Sequence, residues 1–163
     1  MPQVLKLARV SPQHFPTLDP IPWPEYKTVN ASGMDLYADL DPRGIDIPPG
    51  ELAAIPTGLK MEIPEGFEGQ VRSRSGLAFK NRVVVINSPG TIDADFRGEV
   101  LVGLVNHGPQ LFHVNRGDRI AQLVICPVVT PEVLLVPETE LTTTVRGVGG
   151  FGSTGVNDTP SKS

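Results

Sequence analysis

Several polar segments of this chain combine residue types that bind phosphate with residue types that move protons. The stretch from Arg146 to Gly155 contains five glycines, one cation, two hydroxyls and the aromatic Phe151. Glycine lets backbone N–H groups approach a ligand closely, and arginine and hydroxyl groups are good phosphate partners. The pattern therefore predicts a clamp for an anion and a ring, with Phe151 over the ring. A floppy tail rich in Gly, Ser and Thr is the alternative.

A second segment suited to phosphate is Arg74-Ser75-Gly76. An apolar run precedes it and a short helical turn follows, so unpaired N–H groups would point outward at the positive end of the helix dipole. Ser75 is the predicted N-cap of that turn. The alternative is an ordinary serine cap beside a surface arginine.

The segment from Asn87 to Glu99 lies between two apolar runs and is predicted to form a β-hairpin. The Asn87 amide offers a donor and an acceptor, which suits the edge of a nucleobase. Asp93 is an isolated carboxylate that could take a proton from water. Asp95 competes for that role, and its alternative is an ion pair with Arg97.

Asp35 lies in a further polar segment, residues 31–38, beside Gly33. Mg²⁺ keeps several waters and binds through few carboxylates, so Asp35 could hold the hydrated ion. A turn carboxylate is the simpler interpretation. The last polar segment, residues 116–123, contains Gln122.

The elements that must position these residues are short. Seventeen glycines and seventeen prolines divide the 163 residues, which leaves little room for long helices and favours an all-β sandwich or barrel. The predicted strands cover residues 52–55, 59–63, 67–72, 83–86, 99–106, 111–114, 119–129 and 133–137. Residues 83–86 and 100–105 are apolar on both faces, which predicts that a second copy of the chain covers one of them.

Composition limits the function classes. One domain is expected at this length, and the net charge of −4 argues against broad nucleic-acid binding. No run approaches the roughly 20 apolar residues of a membrane span, so we expect a soluble cytoplasmic protein. Cys126 is the single cysteine and is expected to be a buried apolar residue.

Taken in order, the five polar segments resemble the five motifs of the trimeric dUTPase family, from about Ala31 to Gly155. The resemblance implies an all-β, distorted jelly-roll or β-clip subunit that assembles as a homotrimer. Residues 1–145 would form the domain, 146–155 a mobile arm that closes over substrate, and 156–163 a disordered tail. Residues 14–24 have no role in this pattern and are expected to form a surface loop.

By resemblance, the protein would hydrolyse dUTP to dUMP and pyrophosphate with Mg²⁺, limiting uracil in DNA and supplying dUMP for dTMP synthesis. Asp93 would be the general base, Ser75 and Gln122 would assist, and Asp35 would contact the metal through water. The expected substrate contacts are Arg74, Ser75, Gly76, Asn87, Thr91, Ile92, Asp93, Phe96, Leu101, Gln122, Arg146, Phe151, Gly152 and Ser153.

The chain departs from the family pattern at the sugar-facing ring, where Phe96 replaces the more usual tyrosine. Two alternatives to a dUTPase stay open. A relative of the dCTP deaminases shares the fold and would release ammonia from dCTP. A non-catalytic trimeric module would bind nucleotide without turnover.

Overall fold

The computed structural model describes residues 3–10 and 13–150. The chain divides into two compact units, Met1–Val129 and Thr130–Ser163. The described strands of the first unit are β1 (Lys6–Arg9), β2 (Met34–Tyr37), β3 (Ile45–Ile47), β4 (Leu52–Pro56), β5 (Leu59–Glu62), β6 (Phe67–Arg72), β7 (Val83–Val85), β8 (Gly90–Ile92), β9 (Leu101–Asn106), β10 (Phe112–Val114) and β11 (Arg119–Pro127). One helix, α1 (Ser75–Asn81), follows β6.

The strands form small antiparallel sheets with the orders β2-β11-β6-β8, β4-β9-β7, β1-β5 and β10-β3. This architecture confirms the all-β prediction. Strands are short because turns rich in Gly and Pro interrupt them, as at Gly50 and Gly66, where φ is +80°. No helix of the described residues is long and apolar enough to cross a membrane.

The core lies between the sheets and follows the two-residue period of the strands. Leu36, Ile55 and Leu104 are completely buried, and each stabilises the fold by about 1.5–3 kcal/mol relative to exposure. All four residues of β2 are buried, and β11 pairs with this strand. Asp35 is one of them, so one of the candidate site residues belongs to the buried sheet.

Seven of the predicted strands are present with bounds shifted by no more than two residues. The strand predicted at residues 133–137 is wrong, since this segment is exposed and forms no ladder with the described residues. Strands β1, β2, β3 and β8 were missed because three or four residues are too few for a clear alternation. Cys126 is half-buried instead of buried.

The prediction of Ser75 as helix N-cap is also wrong. Arg74 occupies the N-cap position, with extended backbone angles of −84° and 127° and no side-chain capping bond. Ser75 is the first helical residue and is exposed. The helix ends at Asn81, and the C-cap residue Arg82 has a left-handed φ of 58° and donates its N–H to the carbonyl of Ala78.

The predicted hairpin between residues 86 and 99 is more complex than expected. Strands β7 and β9 are antiparallel neighbours, but the connection between them crosses to another sheet, where β8 pairs with β6. At the crossing Ile92 buries its side chain beside Gly69, where a Cβ would lie 3.3 Å from that of Ile92. Asp93 therefore follows a strand end and not a hairpin tip.

Residues 14–24 form an irregular segment that is mostly exposed, as expected of a surface loop. Two arginines fasten it to the domain. Arg9 donates to the carbonyl of Ile21 and lies 4.1 Å above the Trp23 ring, while Arg116 donates to the carbonyl of Asp19. The segment is therefore tied down by charge and by ring contacts.

Candidate active site

The first group of polar residues surrounds Asp35 and is called here the arginine cluster: Asp35, Arg72, Arg74, Arg119 and Gln122. The Asp35 carboxylate is buried, with 7% of the residue exposed. Arg74 Nε lies 3.0 Å from its Oδ1, and Arg119 Nη1 lies 3.3 Å from its Oδ2. Arg74 Nη1 also donates to the Arg119 carbonyl at 3.0 Å. Two guanidinium groups thus share one carboxylate, which leaves an excess of positive charge.

Strand register explains how residues far apart in sequence meet in this cluster. Gln122 of β11 is opposite Asp35 of β2 on one side and opposite Arg72 of β6 on the other. Paired residues of an antiparallel sheet share a face, so the three side chains form one row. Arg74, Ser75 and Gly76 come directly after β6, where the exposed start of α1 adjoins the row.

The second group lines an open pocket of about 280 Å³, called here the β8 pocket. It contains five residues that the sequence singled out, together with two that it did not. Its lining residues are Thr91, Ile92, Asp93, Phe96, Glu99, Val100 and Leu101. The wall is largely apolar apart from the two carboxylates.

A turn at the edge of the β8 pocket holds Asp93 in an exposed position. The Phe96 N–H donates to the Asp93 carbonyl at 3.1 Å. Arg97 donates to the carbonyls of Ala94 and Phe96, at 2.6 and 2.9 Å, so its expected ion pair with Asp95 does not form. Among the described residues, no side chain hydrogen-bonds to the Asp93 carboxylate, which leaves it open to water.

The structure keeps the arginine cluster and the β8 pocket apart within one chain. Ile92 pairs with Gly69, so Asp93 lies beside the N-terminal end of β6, whereas Arg72 is at the C-terminal end of that strand. The two ends are four residues of extended strand apart, or about 13 Å. The predicted site residues are therefore brought together in two groups and not in one.

Asn87 lies before β8, at the end nearer to the arginine cluster. The neighbouring Ser88 hydroxyl contacts that of Ser73 at 3.0 Å, and the Ser73 hydroxyl accepts a hydrogen bond from the Val85 N–H. This serine bridge joins the segment before α1 to the segment before β8. Sequence reasoning missed it, because a serine pair 15 residues apart carries no local signal.

Arg146 belongs to the second unit and lies in an exposed turn. Its Nε donates to the Gly149 carbonyl at 2.8 Å, and the Gly147 N–H donates to the Thr144 carbonyl. Phe151, Gly152 and Ser153 lie outside the described residues. Their predicted contacts stay predictions.

Comparison with known proteins identifies the family that has these features. A sequence model of a family described as dUTPase matches residues 19–155. The chain belongs to the dUTPase family. It is 54% identical to the deoxyuridine 5′-triphosphate nucleotidohydrolase of Anaeromyxobacter sp. over 155 residues, covering 95% of this chain and 99% of the relative. It is also 54% identical to the enzyme of that name from Rhizobium rhizogenes over 134 residues, covering 82% and 85%.

Solved dUTPase structures agree with the fold. The Staphylococcus bacteriophage 80alpha dUTPase with dUPNHPP has a TM-score of 0.79 and 28% identity, covering 94% of this chain and 99% of its own. A mutant dUTPase from phage phi11 of S. aureus, described with a structural Mg(II) ion, has a TM-score of 0.70 and 26% identity, covering 85% and 99%. The chain therefore has the all-β fold of the dUTPase family.

The family implies a magnesium ion, and Asp35 supplies the candidate oxygen ligand for it. The described residues contain no cluster of three or more His, Cys, Asp or Glu side chains that could enclose a metal. Asp35 Oδ1 is buried and accepts no hydrogen bond from them, since the nearby Arg74 Nε is out of line. One orphaned carboxylate oxygen fits a hydrated Mg²⁺ whose other ligands are water and substrate phosphates.

Two charged residues near the site were not among the sequence candidates. Arg119 shares the Asp35 carboxylate, and Glu99 lines the β8 pocket and accepts the Gly58 N–H at 2.9 Å. Both residues stand in polar segments that the sequence did single out. Their roles depend on partners more than 40 residues away, which spacing alone does not reveal.

Proposed function

We propose that this chain is a dUTP diphosphatase that hydrolyses dUTP to dUMP and pyrophosphate. The observation that carries the proposal is the pair of complementary groups on one fold, a cationic cluster around Asp35 and a largely apolar pocket with Asp93 at its edge. The first suits a triphosphate and the second a nucleoside with a water-activating carboxylate. The names of the relatives, which are dUTP hydrolases, support the choice of substrate.

Asp93 acts as the general base in this proposal. Its exposed carboxylate takes a proton from a water molecule, the water oxygen forms a bond to the α-phosphorus, and pyrophosphate departs with the electrons of the broken P–O bond. Hydrolysis at phosphorus needs little covalent help from protein and depends on alignment and charge neutralisation. An exposed carboxylate without a cationic partner suits this step, because no ion pair has to be broken first.

The arginine cluster neutralises the phosphate charge. Arg74 is held by Asp35 and by the Arg119 carbonyl, so its guanidinium group is pre-oriented, and Ser75, Gly76 and Gln122 supply further hydrogen-bonding groups. Mg²⁺ bound to the triphosphate would add positive charge there, with Asp35 holding it through water. Arg146 would reach the terminal phosphate from the C-terminal arm, and Gly152 and Ser153 would close over the phosphates.

The β8 pocket takes the nucleoside. Thr91, Ile92 and the Leu101 backbone contact uracil together with Asn87, and Phe151 stacks on the base. Phe96 lies against the sugar with an apolar ring face. We expect steric overlap with the residues that contact uracil to exclude the thymine methyl.

We propose a homotrimer in which the β8 pocket of one chain faces the arginine cluster of another. The separation of about 13 Å within one chain supports shared sites. The outer face of sheet β4-β9-β7 supports assembly, since Leu52, Ile86 and Leu101 are each more than half exposed there. An exposed apolar patch is typical of a protein–protein interface.

The first experiment measures pyrophosphate release from dUTP with Mg²⁺, in parallel with dCTP, dTTP and UTP. We expect rapid hydrolysis of dUTP alone, lost in Asp93→Asn and retained in the matched control Asp95→Asn. Ammonia release from dCTP would favour the deaminase alternative. Binding of dUTP without turnover would favour the non-catalytic module.

Shared sites are tested by joint refolding of Asp93→Asn with Arg74→Ala, assayed at a dUTP concentration too low for either variant alone to show activity. If each site takes these residues from different chains, one site in three regains both groups in every mixed trimer, which is about a quarter of all sites after random 1:1 assembly. Activity should then return to about that fraction. If the refolded mixture stays inactive although light scattering shows trimers, Asp93 and Arg74 of each site come from the same chain.

A further inference from the structure

Gly98 makes an unusually close contact with the Phe96 ring. A Cβ at this position would lie 2.5 Å from Cζ and 2.8 Å from Cε2 of Phe96. Real Cβ atoms essentially never come within 3.0 Å of another group. The tip of the ring therefore rests directly on the glycine Cα.

The glycine is needed for space and not for backbone conformation. Its φ lies outside the left-handed region, unlike that of Gly44 or Gly58, so an alanine could adopt the same backbone. A side chain at position 98 is excluded only because the ring occupies its place.

The position of the ring depends on this contact. Phe96 lines the β8 pocket and is 42% exposed, and its ring has no hydroxyl that a hydrogen bond could hold. Its backbone is fixed by the bond from its N–H to the Asp93 carbonyl and by the bond that its carbonyl accepts from Arg97. Only rotation about the side-chain bonds of Phe96 can therefore move the ring. The absence of a side chain at Gly98 sets how far the ring can withdraw from the pocket.

We propose that Gly98 is a specificity-determining residue, which acts through Phe96 by letting its ring lie low enough to admit a 2′-deoxyribose. The proposal rests on the proposed function. In Gly98→Ala the ring must retreat by about 1 Å to reach ordinary van der Waals distance. The ring is the far end of a partly exposed side chain and moves away from position 98, and because it lines the β8 pocket this shift changes the space for the sugar.

The test compares wild type, Gly98→Ala, Phe96→Ala and the double variant with dUTP and UTP. A shape change of one carbon in a pocket alters discrimination by roughly 10- to 100-fold, so KM for dUTP should rise by about tenfold or more in Gly98→Ala. The kcat should stay within about threefold, because Asp93 is not displaced. Phe96→Ala should admit UTP more readily than wild type does.

The double variant distinguishes action through the ring from a general structural effect. If Gly98 acts through Phe96, alanine at position 98 should leave KM unchanged once the ring is absent. An equal rise of KM in both backgrounds, or a fall in kcat and Tm with unchanged KM, would overturn the proposal. If wild type hydrolyses dUTP selectively and Gly98→Ala keeps its KM, only the specificity proposal fails. If wild type leaves dUTP intact, the proposed function fails and the specificity proposal falls with it.

Discussion

The arginine cluster and the β8 pocket each contain one central carboxylate, and the two carboxylates have opposite surroundings. Asp35 is buried on a strand of the four-stranded sheet and is flanked by Arg74 and Arg119. Asp93 is exposed in a turn that is held by backbone hydrogen bonds and by Arg97. The same functional group therefore has two tasks. The carboxylate of Asp35 holds cations in place, and that of Asp93 is open to water.

Burial decides which task each carboxylate can perform. A carboxylate taken out of water must be paired, so Asp35 has two cations near it and a fixed orientation. An exposed carboxylate is solvated by water and needs no partner in the protein. We therefore expect substitution of Asp35 to affect folding and binding, and substitution of Asp93 to affect chemistry alone.

The largest expected effect belongs to Asp93→Asn. Loss of a general base lowers kcat by about 10² to 10⁴, which corresponds to a barrier higher by roughly 3 to 5 kcal/mol. KM for dUTP and the melting temperature should hardly change, because the side chain is exposed. Steady-state kinetics and thermal unfolding test both statements, and a large drop in stability would contradict the proposed division of tasks.

Asp35→Asn should have a smaller catalytic effect and a larger structural one. The amide keeps the shape of the side chain but leaves two guanidinium groups without their shared anion. We expect a loss of about 1–3 kcal/mol in the free energy of unfolding together with a higher KM for dUTP. Urea unfolding monitored by circular dichroism gives the first value. Wild-type stability in this variant would show that the pairing is not structural.

Arg119→Ala sharpens the comparison within the arginine cluster. The Arg119 side chain is half exposed, whereas that of Arg74 is 23% exposed. We expect KM for dUTP to rise about three- to tenfold, with stability near that of wild type. Arg74→Ala provides the matched comparison and should raise KM further. A reversed order would mean that Arg119 is the principal phosphate contact.

The smallest effect is expected at an exposed pair that belongs to neither group, Lys6 and Glu62. A hydrogen bond from Lys6, followed by the Lys6 charge, lowers the pKa of Glu62 from its ordinary value of 4.5. Since the folded-state pKa is depressed, the stabilisation is present above pH 4.5 and is lost as the pH falls through the folded-state pKa. Solvent screens such a pair.

Lys6→Met should therefore leave the melting temperature at neutral pH within error of wild type. Any small difference should vanish when the pH falls below the folded-state pKa of Glu62. Thermal unfolding over a pH series measures this difference. A substantial fall in the melting temperature at neutral pH would mean that this exposed pair stabilises the fold as much as the buried pairing of Asp35 with its arginines does.

The residue types and their local order predicted most of the candidate site. The segments containing Asp35, Arg74, Asp93 and Gln122 were found because each places polar groups beside glycine or an apolar run. The cytoplasmic location and the contacts of the C-terminal arm stay predictions. The strand predicted at residues 133–137 is absent, because apolar content favours burial but does not specify a partner strand within the same chain.

The sequence by itself determined the family, the all-β class and the chemical groups available, since these depend on composition and on spacing over a few residues. Only the tertiary structure decided how these chemical groups are divided between the arginine cluster and the β8 pocket. Asp35 and Arg119 are 84 residues apart and meet through the register of β2 and β11, and the crossing of β8 carries Asp93 away from Arg72. Gly98 and Phe96 are only two residues apart in sequence, yet their contact also depends on packing. The turn and the pocket around Phe96 set the direction of its side chain.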